Sequence, residues 1–98
     1  MKVLLVCAGG MSTSILMKKL EKYAGEQGIE FSIAAVGLSA YKDVWSDYDC
    51  ILMGPQVGYR RDELVREVNI PVEVIPPADY GIGNCGNIFK QLRRMLGE

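Results

Sequence analysis

A cysteine in a loop of small residues is the part of this chain best suited to chemistry. Cys7 ends an apolar run at residues 3–6 and is followed by two glycines and three hydroxyl residues. The pattern predicts a strand, a turn and then the first turn of a helix, where unpaired N–H groups carry partial positive charge. A helix start of this kind stabilises a thiolate and attracts phosphate-like anions. We therefore predict a nucleophilic cysteine that handles phosphoryl groups.

The residues after the cysteine are suited to holding phosphate oxygens. Gly9 and Gly10 allow backbone conformations in which several N–H groups point into one concavity. The hydroxyl residues that follow add donors and a helix cap. Cys7 is accordingly the predicted catalytic residue, and the predicted phosphate-binding residues are Ala8, Gly9, Gly10, Met11, Ser12, Thr13 and Ser14.

Three kinds of protein remain compatible with this loop. A phosphoryl-transfer protein is one, and a relative of the low-molecular-weight tyrosine phosphatases or arsenate reductases is the second. That second motif needs an arginine six residues after the cysteine, where this chain has Thr13, so the guanidinium that would clamp a phosphoryl group is missing. The third is a noncatalytic module that binds anions. A Walker-type loop is excluded because no Gly-Lys-Ser/Thr follows.

Composition narrows the class of protein further. The 98 residues can bury one core, which predicts a single domain over residues 1–98. Eleven basic and 12 acidic residues nearly balance, so we expect no nucleic-acid partner. No apolar stretch reaches the roughly 18 to 20 residues that cross a bilayer, and the chain starts without a signal segment, which predicts a cytoplasmic protein.

The histidine and cysteine content limits the available chemistry. Histidine is absent, which excludes Ser-His-Asp hydrolysis, Cys-His proteases and histidine phosphocarriers. The three cysteines have spacings that fit neither a zinc site nor a disulfide framework, so we expect no metal and no cofactor. Cys50 lies in an apolar run and is predicted to fill the core, whereas Cys85 is predicted to be an inert loop residue.

Hydrophobic periodicity predicts strands and helices in alternation. The predicted strands are residues 3–6, 31–36, 49–53 and 71–75, and the predicted helices are 13–27, 39–45, 60–67 and 87–96, with a loop at 78–83. Ser39 is a predicted cap, and Asp62 and Arg66 a predicted ion pair. Ile15 is placed on the apolar face of the first helix and Val65 on that of the third, and Gly28 is expected to stop the first helix.

This alternation predicts an α/β fold with an open, four-stranded parallel sheet and helices on both faces, as in low-molecular-weight tyrosine phosphatases. Ligands bind such sheets beyond the carboxyl ends of the strands, where strand order reverses. With the order 2-1-3-4, the loop at residues 54–57 borders the loop at residues 7–14. Tyr80 and Gly81, after the fourth strand, reach the same rim.

Three segments resemble the IIB components of the bacterial phosphoenolpyruvate-dependent sugar phosphotransferase system, lactose/cellobiose class. Residues 7–14 are similar to that family's active loop, residues 52–59 to its loop after strand three, and residues 71–75 with Tyr80 and Gly81 to its fourth strand and exit. The Met-Ser-Thr-Ser form of the loop looks more like the cellobiose or chitobiose branch. The resemblance covers essentially the whole chain.

The resemblance implies a phosphotransferase that works between two protein partners. A IIA component donates a phosphoryl group from phosphohistidine to Cys7, and the membrane component IIC helps to pass it to a sugar, such as the β-linked disaccharides cellobiose or chitobiose. The protein is then cytoplasmic and meets the inner face of the membrane only through IIC, without inserting. The residues expected to contact these partners are Met11, Pro55, Gln56, Tyr59 and Tyr80.

Overall fold

The structure is a computed structural model that describes residues 1–8 and 11–98, with the side chains of residues 1–8 and 13–98. Its strands are β1 (Lys2–Val6), β2 (Ser32–Val36), β3 (Cys50–Met53) and β4 (Val72–Val74). Its α-helices are α1 (Met11–Glu26), α2 (Arg61–Glu67), α3 (Pro77–Ile82) and α4 (Cys85–Met95). Short 3₁₀ turns occupy Tyr41–Asp43, Trp45–Asp47 and Pro55–Arg60.

The four strands form one parallel sheet in the order β2-β1-β3-β4, as predicted. Val6 pairs with Val36 on one side and with Met53 on the other, so three strands end at the same level. The Cys7 N–H donates to the Val36 carbonyl at 3.1 Å, and the Gly54 N–H donates to the Val6 carbonyl at 2.9 Å. The carboxyl ends of β1, β2 and β3 therefore meet around the cysteine.

Alternate residues of the two central strands enter two separate cores, because successive side chains in a strand point to opposite faces. One core contains Val3 and Leu5 and packs against α1 and α4. The other contains Leu4 and Val6 and packs against α2 and the 3₁₀ turns. The predicted helices on both faces are thus confirmed, and both central strands are buried, as continuous apolar runs in parallel sheets usually are.

The predicted loop at residues 78–83 is wrong: most of it belongs to α3. Pro77 occupies the first helical position, where a missing N–H costs nothing, and Gly83 ends the helix at φ +65°. The prolines and glycines that suggest a loop in the sequence are therefore the two ends of a short helix. α4 also begins two residues earlier than predicted, with the Asn84 side chain accepting a hydrogen bond from the Asn87 N–H at 3.1 Å.

Three local predictions are wrong. Residues 39–45 form no α-helix, and the 3₁₀ turn at Tyr41 follows Ala40 without a side-chain cap, so Ser39 is not the cap. Asp62 contacts the adjacent Arg61 at 3.6 Å, and the predicted pair with Arg66 is not formed.

Two apolar residues are more exposed than the periodicity predicts. Ile15 is 51% exposed and its neighbour Leu16 is 2% exposed. Adjacent residues on a helix point about 100° apart, so only one of the two can face the core. Val65 is likewise 46% exposed beside the buried Leu64. Gly28 has φ +68° and follows the end of α1 as predicted.

Candidate active site

Cys7 follows the last residue of β1, where it leaves the sheet at the carboxyl edge. Its side chain is only 3% exposed but borders a cavity of about 290 Å³. The other residues that line this cavity come from the start of α1 and the end of β2: Ala8, Thr13, Ser14, Met17, Ala35, Val36 and Gly37. The cavity is at least about ten times larger than a single water needs, and Cys7 forms part of its wall.

Thr13 connects the cysteine to the helix that follows it. The Thr13 hydroxyl donates a hydrogen bond to the Cys7 sulfur at 3.5 Å. Its oxygen also lies 3.1 Å from the Tyr80 hydroxyl oxygen, across 67 residues of sequence. Thr13 is 4% exposed, so its contact with the sulfur is buried, and its contact with Tyr80 is partly buried. Thr13, which stands where the phosphatase motif has an arginine, therefore serves as a hydrogen-bond donor to the Cys7 sulfur.

The exit of β3 packs directly against the cysteine, as the strand order predicts. A Cβ atom built on Gly54 would lie 3.4 Å from the Cys7 Cβ and 2.9 Å from Oε1 of Gln56. Pro55 then opens a 3₁₀ turn, and Gln56 is exposed. The predicted closeness of the loops after β1 and β3 is therefore confirmed, since Gly54 also donates its N–H to the Val6 carbonyl beside Cys7.

The remaining predicted site residues differ in how the structure places them. Gly9 and Gly10 lie outside the described residues, and so do the side chains of Met11 and Ser12, whose backbone belongs to the first turn of α1. Tyr59 is 78% exposed and does not line the cavity beside Cys7.

Comparison with known proteins gives this architecture a family. The family model described as "PTS system, Lactose/Cellobiose specific IIB subunit" matches residues 2–91. The chain belongs to this family. As a IIB component it is a phosphotransferase of the sugar phosphotransferase system and works with a IIA and a IIC component.

Individual relatives agree with this assignment. An oligo-beta-mannoside-specific EIIB component of Bacillus subtilis is 40% identical over 98 residues, which cover 97% of this chain and 95% of the relative. A cellobiose-specific EIIB component of Lactococcus lactis is 33% identical, with 82% of each chain covered. A lactose-specific EIICB component of Lactococcus lactis matches 68% of this chain with 12% of its own length.

Solved structures show the same fold. The solution structure of a cellobiose-specific phosphotransferase IIB component from Borrelia burgdorferi has a TM-score of 0.83 and 33% identity, and covers 99% of this chain and 92% of its own. The lactose-specific IIB domain from Streptococcus pneumoniae has a TM-score of 0.74 at 19% identity, and covers 92% of this chain and 95% of its own.

The two other cysteines of this IIB component have different surroundings. Cys50 is fully buried in β3, and burial raises the pKa of its thiol to about 12. Cys85 opens α4, and partial burial raises its thiol pKa, although the nearby Lys19 partly opposes the rise. The predicted core position of Cys50 is confirmed, whereas Cys85 lies in a helix rather than in the predicted loop.

A polar network holds the segment that leads from β3 into α2. Arg60 donates to both carboxylate oxygens of Glu63, at 3.0 and 2.8 Å, and the buried Tyr41 donates its hydroxyl to the same carboxylate at 3.3 Å. The hydrogen bond from Arg60 lowers the pKa of Glu63 below its ordinary value of 4.5. The Arg60 guanidinium therefore already has a carboxylate partner within the protein.

Two structural features were not found from the sequence. The end of β2, at Ala35, Val36 and Gly37, forms one wall of the cavity. Its position follows from strand order, since β2 flanks β1, so the topology alone could have indicated it. The Thr13–Tyr80 contact has no such signal, because it depends on where α3 places one side chain.

Neither a metal site nor a membrane span is found in the described part of the chain. Across residues 1–8 and 11–98, no group of three or more Cys, Asp or Glu side chains could hold a metal ion. None of the helices in these residues is both long and apolar enough to cross a membrane.

Proposed function

We propose that Cys7 carries the phosphoryl group between the two partner components. The position of its sulfur supports this assignment: it lies at the carboxyl edge of the sheet, beside a cavity, and accepts a hydrogen bond from Thr13 in the first turns of α1. Parallel α/β sheets bind their ligands at this edge. Cys50 is buried with its thiol pKa raised to about 12, which disfavours it as a competing nucleophile.

In the first step the Cys7 thiolate attacks the phosphorus of a phosphohistidine on the IIA component. The sulfur–phosphorus bond forms as the phosphorus–nitrogen bond breaks, and the imidazole leaves. In the second step a sugar hydroxyl held by IIC attacks the phosphorus and gives up its proton to water. The sulfur–phosphorus bond then breaks and the thiolate returns. Charge that develops on the phosphoryl oxygens needs donors fixed in advance.

The predicted phosphate-binding residues are proposed to supply those donors. α1 begins at Met11, four residues after Cys7, and the first N–H groups of a helix have no partner within the helix and attract anions. Ala8, Thr13 and Ser14 line the cavity, which supports their place in the site. We assign the full set from the sequence as Ala8, Gly9, Gly10, Met11, Ser12, Thr13 and Ser14.

A hydroxyl in place of the phosphatase arginine suits a carrier better than a hydrolase. The planar guanidinium of such an arginine would bind two phosphoryl oxygens together and stabilise a hydrolytic transition state. Thr13 has only one hydroxyl hydrogen to donate, and it donates it to the sulfur. A phosphocysteine that must survive until a sugar arrives benefits from the weaker stabilisation, because attack by water would uncouple the relay.

The substrate and surroundings of this IIB component are proposed from its relatives and its surface. The relatives named for cellobiose and for oligo-beta-mannosides support a β-linked sugar, with cellobiose or chitobiose as the proposed type. We place the protein in the cytoplasm, at the membrane only through IIC, with residues 1–98 acting as one domain. The proposed contacts with IIA and IIC are Met11, Pro55, Gln56, Tyr59 and Tyr80.

A matched pair of cysteine variants tests the carrier assignment. Both Cys7→Ser and Cys85→Ser exchange one sulfur for oxygen, and each protein is mixed with phosphorylated IIA and followed by intact mass. We expect Cys7→Ser to fold but to gain no phosphoryl group, and Cys85→Ser to gain one as the parent does. Undiminished acceptance by Cys7→Ser, with a parental melting curve, would show that another residue is the carrier.

A further inference from the structure

The hydrogen bonds around Cys7 form a chain of three groups, and we infer that Tyr80 acts on the nucleophile through Thr13 as a positioning residue. The inference rests on the proposed function, because it takes Cys7 as the reacting group. It goes further in giving Thr13 a contact with the sulfur rather than only with phosphate, and in giving Tyr80 a role inside the protein rather than only at a partner surface.

The direction of the chain follows from counting protons. A threonine hydroxyl has one hydrogen and two acceptor positions. That hydrogen is donated to the Cys7 sulfur, which lies 3.5 Å from the Thr13 hydroxyl oxygen. The 3.1 Å contact between the two oxygens must then use the Tyr80 hydrogen, with Thr13 as the acceptor. Tyr80 therefore donates to Thr13, and Thr13 donates to Cys7. The first hydrogen bond polarises the Thr13 hydroxyl and strengthens the second.

The fold holds both donors firmly. Thr13 is 4% exposed and lies one turn before the buried Leu16 of α1. Tyr80 packs against the core on the α1 and α4 side, and its N–H donates to the Pro76 carbonyl at 3.0 Å. The adjacent Asp79 accepts from the Asn87 side chain at 3.1 Å, which joins α3 to α4. The Tyr80 hydroxyl is therefore presented to Thr13 by a short helix that is joined to α4 through Asp79 and packs against the core through Tyr80 itself.

This chain matters because sulfur is the nucleophile in one step and the leaving group in the next. A hydroxyl that donates to the sulfur anion stabilises the thiolate before it attacks and again after it is released. Once the sulfur is bonded to phosphorus it is a poorer acceptor, and the Thr13 hydrogen can turn toward a phosphoryl oxygen. The Thr13 proton stays on its own oxygen throughout, so no proton needs another destination.

Alkylation of Cys7 by iodoacetamide tests this chain without any phosphoryl donor. At pH 7, Thr13→Val should slow Cys7 alkylation by about tenfold, since a hydrogen bond to a charged group contributes about that factor. Thr13→Ser should restore the rate to within about threefold. The deficit of Thr13→Val should shrink as pH rises, because added base removes the thiol proton without help from the hydroxyl.

A double-mutant cycle separates the role of Tyr80 from simple packing. Tyr80→Phe should slow alkylation by about two- to threefold alone and have no further effect in a Thr13→Val protein, since its action passes through Thr13. Tyr48→Phe is the matched control, and Cys85, read in the same molecule by peptide mapping, should react at an unchanged rate.

Three results would overturn the inference. One is an unchanged alkylation rate in Thr13→Val, and another is a deficit that is equal at every pH. The third is a Tyr80→Phe effect that persists in full on the Thr13→Val background. Because Tyr80→Phe removes only one oxygen from a partly exposed side chain, it supplies the answer if Thr13→Val does not fold. A failure of Cys7 to accept phosphoryl groups would leave these rates untouched, so the two claims fail separately.

Discussion

Enlarging Gly54 tests how the exit of β3 packs against the cysteine. A single Cβ at this position would lie 3.4 Å from the Cys7 Cβ, an ordinary contact, and 2.9 Å from Oε1 of Gln56, which is too close. Gln56 is exposed and flexible, so it can turn away. The backbone at Gly54 has φ −62° and ψ 145°, a conformation open to any residue. The effect of a substitution here is therefore one of packing alone.

The expected costs differ sharply between alanine and valine. Gly54→Ala should change the free energy of unfolding by less than about 1 kcal/mol, because its added contact is ordinary and it restricts the unfolded chain. Gly54→Val adds two more carbons beside Cys7, and overpacking of this kind costs about 1–3 kcal/mol. In a domain of this size that lowers the melting temperature by ~5 °C or more. A sulfur displaced by a fraction of an ångström should also slow phosphoryl acceptance about tenfold or more.

Thermal melting and single-turnover phosphorylation by phosphorylated IIA measure the two effects on the same samples. Gly54→Ala is the control, since it differs from Gly54→Val only in the branching carbons. We expect the alanine protein to follow the parent in both assays. A valine protein that melts and accepts phosphoryl groups like the alanine protein would refute the reasoning, because it would mean that Cys7 is not confined by the β3 exit.

Further outcomes follow from the backbone, the buried thiol and the ion pair. Gly28→Ala should destabilise by about 1 kcal/mol because φ is +68°, while Gly25→Ala, inside α1 with open space around its Cβ, should stabilise by about 0.5–1 kcal/mol; urea midpoints that shift in the same direction would contradict this. Cys50, with its thiol pKa raised to about 12, should resist iodoacetamide at pH 8 until urea unfolds the protein, as peptide mapping can show. The lowered pKa of Glu63 makes its pairing with Arg60 a source of stability above pH 4.5 that is lost as pH falls through the folded-state value. Stability measured by urea unfolding in Glu63→Gln should therefore fall less in that acid window than in the parent, and parallel curves would rule out the linkage.

The sheet could be predicted from the sequence because its signals are long and mutually consistent. Four apolar segments separated by helical patterns require a parallel sheet, and that sheet places Cys7 at its carboxyl edge. Once the strand order is given, the closeness of Gly54 to Cys7 follows from topology. This part of the site is fixed by the backbone alone.

The parts of the site that could not be predicted from the sequence depend on a short helix and on the positions of single side chains. α3 has six residues, and its prolines and glycines are turn signals in the sequence whose role as helix ends appears only in three dimensions. The bond from Tyr80 to Thr13 depends on that helix. In the sequence Thr13 is notable only because the phosphatase motif has an arginine at this position. The distance from its hydroxyl to the sulfur shows what the threonine does instead.

Locating the phosphoryl group on the unmodified protein is the most direct test of the account. The protein is mixed with phosphorylated IIA, its intact mass is measured, and peptides are mapped under conditions that preserve phosphocysteine. We expect a gain of one phosphoryl group, on the peptide that contains Cys7, and its loss when IIC and a sugar acceptor are added. A phosphoryl group on any other residue, or one that no acceptor sugar removes, would contradict it.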